Sequence, residues 1–194
     1  MDEKELHVVN KKPLIFYIDN ALTIDECNLI IEKSKDKMER ARIGTGENAE
    51  ISKIRTGSSY FLNYLEDEDI FPIYKKIAML LNKPGRNFDT FIQVIHYLSG
   101  EEYKTHVDPS PLRNEKEGIK HRKFTCLCYL NDINDSGGET EFPELNIKIS
   151  PKMGRMVYFD NYHNDGKINY KSKHRSNPVI NGEKWAFNLW YHLR

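Results

Sequence analysis

Along the first third of the chain apolar positions recur at helical spacing, whereas from residue 90 they come in short β-favouring runs. Pro13-Leu14-Ile15-Phe16-Tyr17-Ile18 reads as a strand ahead of the first helix. Thr23-Ile24-Asp25-Glu26 has the form of a capping box, in which Thr23 accepts from the Glu26 amide and Glu26 reaches back. With Leu22 and Cys27 placed as a hydrophobic staple, and Cys27, Ile30, Ile31 and Ser34 in period, the pattern predicts a helix over 24–38. Residues 42–54 hold two glycines and no period, which predicts a long loop. A strand at 56–62 and a second helix at 68–82 follow, with Pro72 tolerable in a first turn.

Runs at 90–97, 123–130, 139–142, 146–150, 155–160, 171–176 and 184–192 then read as strands, several of them separated by turn clusters such as Asn134-Asp135-Ser136-Gly137-Gly138. The expected fold class is mainly β with supporting α-helices. A single domain over 1–194 is expected, with helical support at about 20–85 and a β core at about 90–194.

Composition narrows the function. The 194 residues carry 29 Lys+Arg against 29 Asp+Glu, so the neutral balance speaks against a protein built to neutralise nucleic-acid phosphates. No apolar run reaches the ~18 residues of a membrane span, and no secretory signal is visible, so a cytoplasmic or otherwise soluble intracellular protein is expected. Three cysteines (Cys27, Cys126 and Cys128) do not suit a disulfide framework, and the i, i+2 pair reads as packing on one strand face.

Seven histidines supply the candidate chemistry. His106-Val107-Asp108 would present an imidazole and a carboxylate on one face of a strand, since i and i+2 share a side. Read blandly, this is a His–Asp hydrogen bond at a strand end. A non-haem Fe(II) site needs a second His, and His174 is the candidate if its strand pairs near the first. Lys184 on the next strand would put an ammonium in the pocket, where a dicarboxylate could partner it. His96, next to Tyr97, should face the other way.

These residues sit in longer matching blocks. The run from Tyr97 through Gly100 and Tyr103 to His106 and Asp108, the strand from Arg122 through Thr125 to Asn131, the Gly137-Gly138-Glu139-Thr140 turn, and Lys184-Trp185 through Trp190 stand in order. Together they resemble the Fe(II)/2-oxoglutarate dioxygenases of the prolyl 4-hydroxylase family, from about residue 55 to 194. The resemblance implies a double-stranded β-helix, jelly-roll-like core with the metal in its mouth. It implies that His106, Asp108 and His174 bind iron and that Lys184 pairs 2-oxoglutarate, assisted by Thr140 and Tyr97. Tyr103, Arg122, Trp190 and His192 fall where the family contacts peptidyl proline. The implied reaction hydroxylates that proline at C4 with O2, converts 2-oxoglutarate to succinate and CO2, and uses ascorbate as reductant. The implied partner is a proline-containing peptide, with neither nucleic acid nor membrane.

Two other readings stand beside this one: the same oxygenase chemistry on another protein side chain or a free amino acid, and a non-catalytic β-helix binding module. The loops at 42–54 and 109–121 are the lid candidates. Lys167, Lys171, Lys173 and Arg175 surround His174 with no acid in the same run, which predicts a positive approach for an anionic cosubstrate.

Overall fold

The computed structural model describes residues 5–44, 49–83, 85–109, 122–133 and 137–192. Its frame is a large antiparallel sheet of eight strands facing a smaller one of four. In chain order the strands are β1 (Leu6–Lys11), β2 (Leu14–Ile18), β3 (Glu39–Arg40), β4 (Arg42–Ile43), β5 (Glu50–Ile51), β6 (Ser58–Asn63) and β7 (Phe91–Leu98). They continue with β8 (Tyr103–His106), β9 (Arg122–Tyr129), β10 (Thr140–Phe142), β11 (Ile147–Ile149), β12 (Met156–Asp160), β13 (His174–Ser176) and β14 (Glu183–His192). The large sheet runs β1-β2-β12-β9-β14-β7-β6-β3 and the small one β11-β10-β13-β8, with β4 and β5 forming a separate ribbon.

The central strands are apolar on both faces, and their alternation sorts two cores. Phe124, Cys126 and Cys128 of β9, Met156 and Tyr158 of β12, and Phe187, Leu189 and Tyr191 of β14 face the helices. Leu127 and Tyr129, Val157 and Phe159, and Ala186 face the small sheet, where Phe142, Ile149 and Val179 meet them. A fully buried side chain of this kind contributes about 1.5–3 kcal/mol, so the two layers hold the sheets in a fixed spacing. On β14 the parity matters most: Lys184, Asn188 and Trp190 lie on the face that lines the cavity between the sheets.

Helix α1 (Ile24–Ser34) begins with the expected capping box, Thr23 accepting from the Glu26 amide and Glu26 from the Thr23 amide. It ends four residues early, passing into one 3₁₀ turn at Lys35–Lys37. Helix α2 (Phe71–Leu80) is shorter than 68–82, because Asp67 accepts from the amides of Asp69 and Ile70 and Pro72 occupies the first turn. Both helices cover the outer core, and Cys27, Cys126 and Cys128 are wholly buried there. Among the described residues no helix is long and apolar enough to cross a membrane.

Two local expectations change, and a third falls outside the described residues. Residues 42–54 contain the short β4–β5 ribbon, and residues 45–48 lie outside the described part. The other lid candidate, 109–121, lies outside it apart from Pro109. The 171–176 run begins as a 3₁₀ turn at Tyr170–Ser172, and only His174–Ser176 is strand.

Candidate metal centre and cosubstrate pocket

Antiparallel pairing of β13 with β8 sets His174 opposite His106. Strand β8 stops at His106, so Asp108 belongs to the turn that follows rather than to the strand itself. The turn nevertheless returns its carboxylate to the two rings: Asp108 Oδ1 is 3.7 Å from His106 Nε2 and 3.8 Å from His174 Nε2. Ligand atoms of the three residues all lie within 4.8 Å of one another, a spacing that can hold one metal ion.

Each donor is oriented from behind. His106 Nδ1 hydrogen-bonds the Lys104 carbonyl at 2.8 Å and His174 Nδ1 the Ser172 carbonyl at 3.0 Å, which turns both Nε2 atoms toward Asp108. Phe159 and Phe142 pack about the His174 ring, with Phe159 4.6 Å away between centroids. Asp108 Oδ2 accepts from Trp190 Nε1–H at 3.2 Å and from the Thr125 hydroxyl, which itself accepts from Asn161 Nδ2–H at 2.9 Å. Oδ1 therefore remains directed at the rings. Burial, reinforced by His174, holds His106 well below its usual value, so the imidazole is neutral and able to ligate. Burial acts upward on Asp108, but His174, Arg122 and the hydrogen bond from the Thr125 hydroxyl outweigh it and keep the carboxylate ionised.

The triad opens on a cavity of about 840 Å³ whose lining includes Tyr97, Tyr103, Thr140, Lys184 and Trp190. Lys184 is 1% exposed, and its Nζ donates to Ser176 Oγ at 2.8 Å beneath the rings of Tyr97 and Tyr129. Among the described residues no carboxylate stands within ion-pair distance of it, and burial pushes the ammonium down to about 7 despite Glu139. Tyr129, whose side the sequence left undecided, faces this inner space and donates to Thr140 Oγ1 at 2.6 Å. A ligand bearing a carboxylate would satisfy the buried ammonium and a metal ion the three donors, so the residues present fit both.

Of the expected substrate contacts, Tyr103 stacks on His106 at 3.6 Å, and Arg122 lies 3.5 Å over the Trp190 ring. His192 is not brought into the cavity. It sits past a register shift at the end of β14, and its Nε2 pairs with Asp89 Oδ1 at 2.6 Å. His96 lies on the opposite face, stacked on Trp185. The basic run around His174 is not a free positive approach, because Glu141 and Glu144 from other elements and Asp165 just ahead of the run meet it. Arg175 pairs with Glu141 at 2.8 Å, Lys173 approaches Glu144 at 3.8 Å, and Lys167 approaches Asp165 at 3.6 Å. Sequence reasoning missed Thr125, Asn161 and Arg55. The inward parity of β9 could have found Thr125, but neither Asn161 nor Arg55 carries a signal of its own.

A profile described as the 2OG-Fe(II) oxygenase superfamily matches residues 92–192. The chain is 30% identical to probable prolyl 4-hydroxylase 7 of Arabidopsis thaliana, over 94% of this chain and 63% of that protein. It is 30% identical to probable prolyl 4-hydroxylase 6 of the same plant, over 100% of this chain and 74% of that protein. Among solved structures it resembles the viral collagen prolyl hydroxylase vCPH from Paramecium Bursaria Chlorella virus-1 in its 2OG complex. The TM-score is 0.74 and the identity 27%, over 93% of this chain and 96% of that one. A Pseudomonas putida prolyl-4-hydroxylase shares the fold, with a TM-score of 0.67 at 15% identity, over 93% and 92% of the two chains.

Proposed function

The chain belongs to the 2OG-Fe(II) oxygenase superfamily and, within it, to the prolyl 4-hydroxylase family, and on that premise we propose that it hydroxylates C4 of proline in a peptide chain. In this reading residues 1–194 act as one catalytic domain. His106, Asp108 and His174 hold Fe(II), and Lys184 takes the distal carboxylate of 2-oxoglutarate beside Thr140 and Tyr97. Ascorbate serves as reductant. The carrying observation is that the three-donor cluster and a buried ammonium without a carboxylate partner among the described residues line one cavity.

Fe(II) with 2-oxoglutarate supplies O2 activation coupled to oxidative decarboxylation, giving succinate and CO2. The protein supplies position and dryness. Neutral His106 and ionised Asp108 present two of the three donors without a proton to displace. Lys184, held in its protonated form by the anionic partner, fixes the far end of the cosubstrate, and Phe159, Phe142 and Leu127 close the space around the centre to water. Tyr103, Trp190 and Arg122 present ring and guanidinium surfaces at the open side, on which a pyrrolidine ring can pack.

The test is mass spectrometry of proline-containing peptides after incubation with Fe(II), 2-oxoglutarate and ascorbate. A +16 Da product on proline, lost in His174→Ala and Asp108→Ala variants that remain folded, is expected. Succinate formation with no peptide modified would instead move the substrate to another side chain or a free amino acid.

A further inference from the structure

The open side of the cavity carries a charge pattern that the metal and the cosubstrate do not use. Arg55, just ahead of β6, is 6% exposed and lines the cavity, its guanidinium 4.9 Å over the Tyr103 ring, which in turn stacks on His106. Its described polar contacts are neutral: the Tyr97 phenol and, at 3.5 Å, the Arg42 carbonyl. Its Nε is buried without a hydrogen-bond partner, and among the described residues no carboxylate pairs with it. A guanidinium held this way stores an unmet demand for an anion.

Farther out the same wall continues with Arg42 and Lys37, both exposed and without an acidic partner among the described residues. Arg40 beside them donates to the Gly57 carbonyl at 3.1 Å and approaches Glu101 at 3.9 Å. Against these, the described acids lining the cavity are Glu39 and Asp108. Lys184 already accounts for one carboxylate of 2-oxoglutarate and the metal for the other end, so Arg55, Arg42 and Lys37 face whatever fills the open side.

We propose that the peptide taken by this site carries an acidic side chain beside the target proline, received by Arg55, with further acidic residues running outward past Arg42 and Lys37. The inference rests on the prolyl hydroxylase reading above and names its substrate class. Carboxylates suit the wall because a planar guanidinium can donate to both oxygens at once, and the aromatic rings of Tyr103 and Tyr60 line the same cavity.

The experiment compares three C-terminally amidated peptides that differ only in residues flanking one proline: Glu, Gln or Lys. With enzyme, Fe(II) and 2-oxoglutarate, the Glu peptide should exceed the Gln peptide in kcat/KM by about tenfold or more, with the Lys peptide lowest and the gap shrinking with salt. The double variant Lys37→Glu/Arg42→Glu should narrow the gap and raise the Lys peptide. Three equally good substrates would overturn the proposal, as would a double variant that shifts the KM for 2-oxoglutarate and leaves the peptide order intact. If no peptide is hydroxylated, calorimetric binding to the loaded enzyme under nitrogen reads the same order. Tighter binding of the Glu peptide would uphold the acidic class and sink the proline reading, and equal binding would overturn the acidic class.

Discussion

Trp190 donates its indole N–H to Oδ2 of Asp108 across 3.2 Å, and the Thr125 hydroxyl donates to the same oxygen. Two donors on one oxygen leave the other, Oδ1, to face His106 and His174. A residue expected to contact substrate is thus also a clamp on a candidate metal ligand.

Thr125→Val keeps the shape and removes the hydroxyl, leaving the Asp108 Oδ2 atom with the Trp190 donor and Asn161 Nδ2 with the Arg122 carbonyl alone of its two acceptors. Metal affinity should fall by about 10–100-fold, read by equilibrium dialysis with Mn(II) and without any turnover assay. Trp190→Phe should weaken metal binding less, because Thr125 remains. Equal affinity in wild type and Thr125→Val would show that the carboxylate needs no second donor.

What could be read from sequence divides along physical lines. The Thr23–Glu26 capping box and the inward face of β14 are local or periodic, and both stand in the structure as the residues specify. Strand β1 escaped notice because it is an edge strand, mostly exposed and bulged near Val9, with no alternation toward a core. Asp108 reached the histidines through a turn, not through strand parity, so a sound pairing rested on the wrong local geometry. His192 has the right parity but lies beyond a register shift that only the fold reveals. The basic run near His174 was read without Glu141 and Glu144, acids that arrive from separate elements.

Lys184 sets stability against affinity. Burial lowers its folded value to about 7 from 10.5, so between those pH values the unfolded chain binds the extra proton. Stability of the ligand-free protein should therefore rise with pH across that window, and the penalty should be complete below it. Lys184→Met should remove this dependence and stabilise the ligand-free form at pH 6 by on the order of 2 kcal/mol in urea unfolding. The same variant should raise the KM for 2-oxoglutarate by about ten- to a hundredfold. In the wild type, cosubstrate binding above pH 7 should take up a proton, visible as buffer-dependent calorimetric heat.

Asp19 anchors the β1–β2 hairpin to the turn before β12. It accepts from Arg155 Nε at 2.6 Å, Arg155 Nη2 at 3.1 Å and Lys152 Nζ at 2.9 Å. Burial alone would raise its carboxyl, but Arg155 and Lys152 outweigh it and the value falls below 3.8. Its contribution is present above that value and is lost as pH falls through the lower folded one. Asp19→Asn should cost about 2–3 kcal/mol at pH 7 and less at pH 3, measured by urea midpoints. A uniform loss at both pH values would mean that packing, not charge, is at stake.

Gly57 sits where strand β6 approaches β7, and a Cβ there would lie 2.5 Å from the Tyr97 ring and 2.6 Å from the His96 carbonyl. The backbone oxygen cannot yield, because β7 is paired on both sides by β6 and β14. Strain must then pass to the Tyr97 ring, which lines the cavity and accepts from Arg55. Gly57→Ala should cost about 1–3 kcal/mol and raise the KM for 2-oxoglutarate. Gly100→Ala is the control: its φ of +83° strains any side chain, yet nothing lies within 4 Å of the added carbon. It should lower stability by about 1 kcal/mol and leave that KM unchanged. Should both variants move the KM alike, the effect would belong to loss of stability in general, and Tyr97 would have no part in holding the cosubstrate.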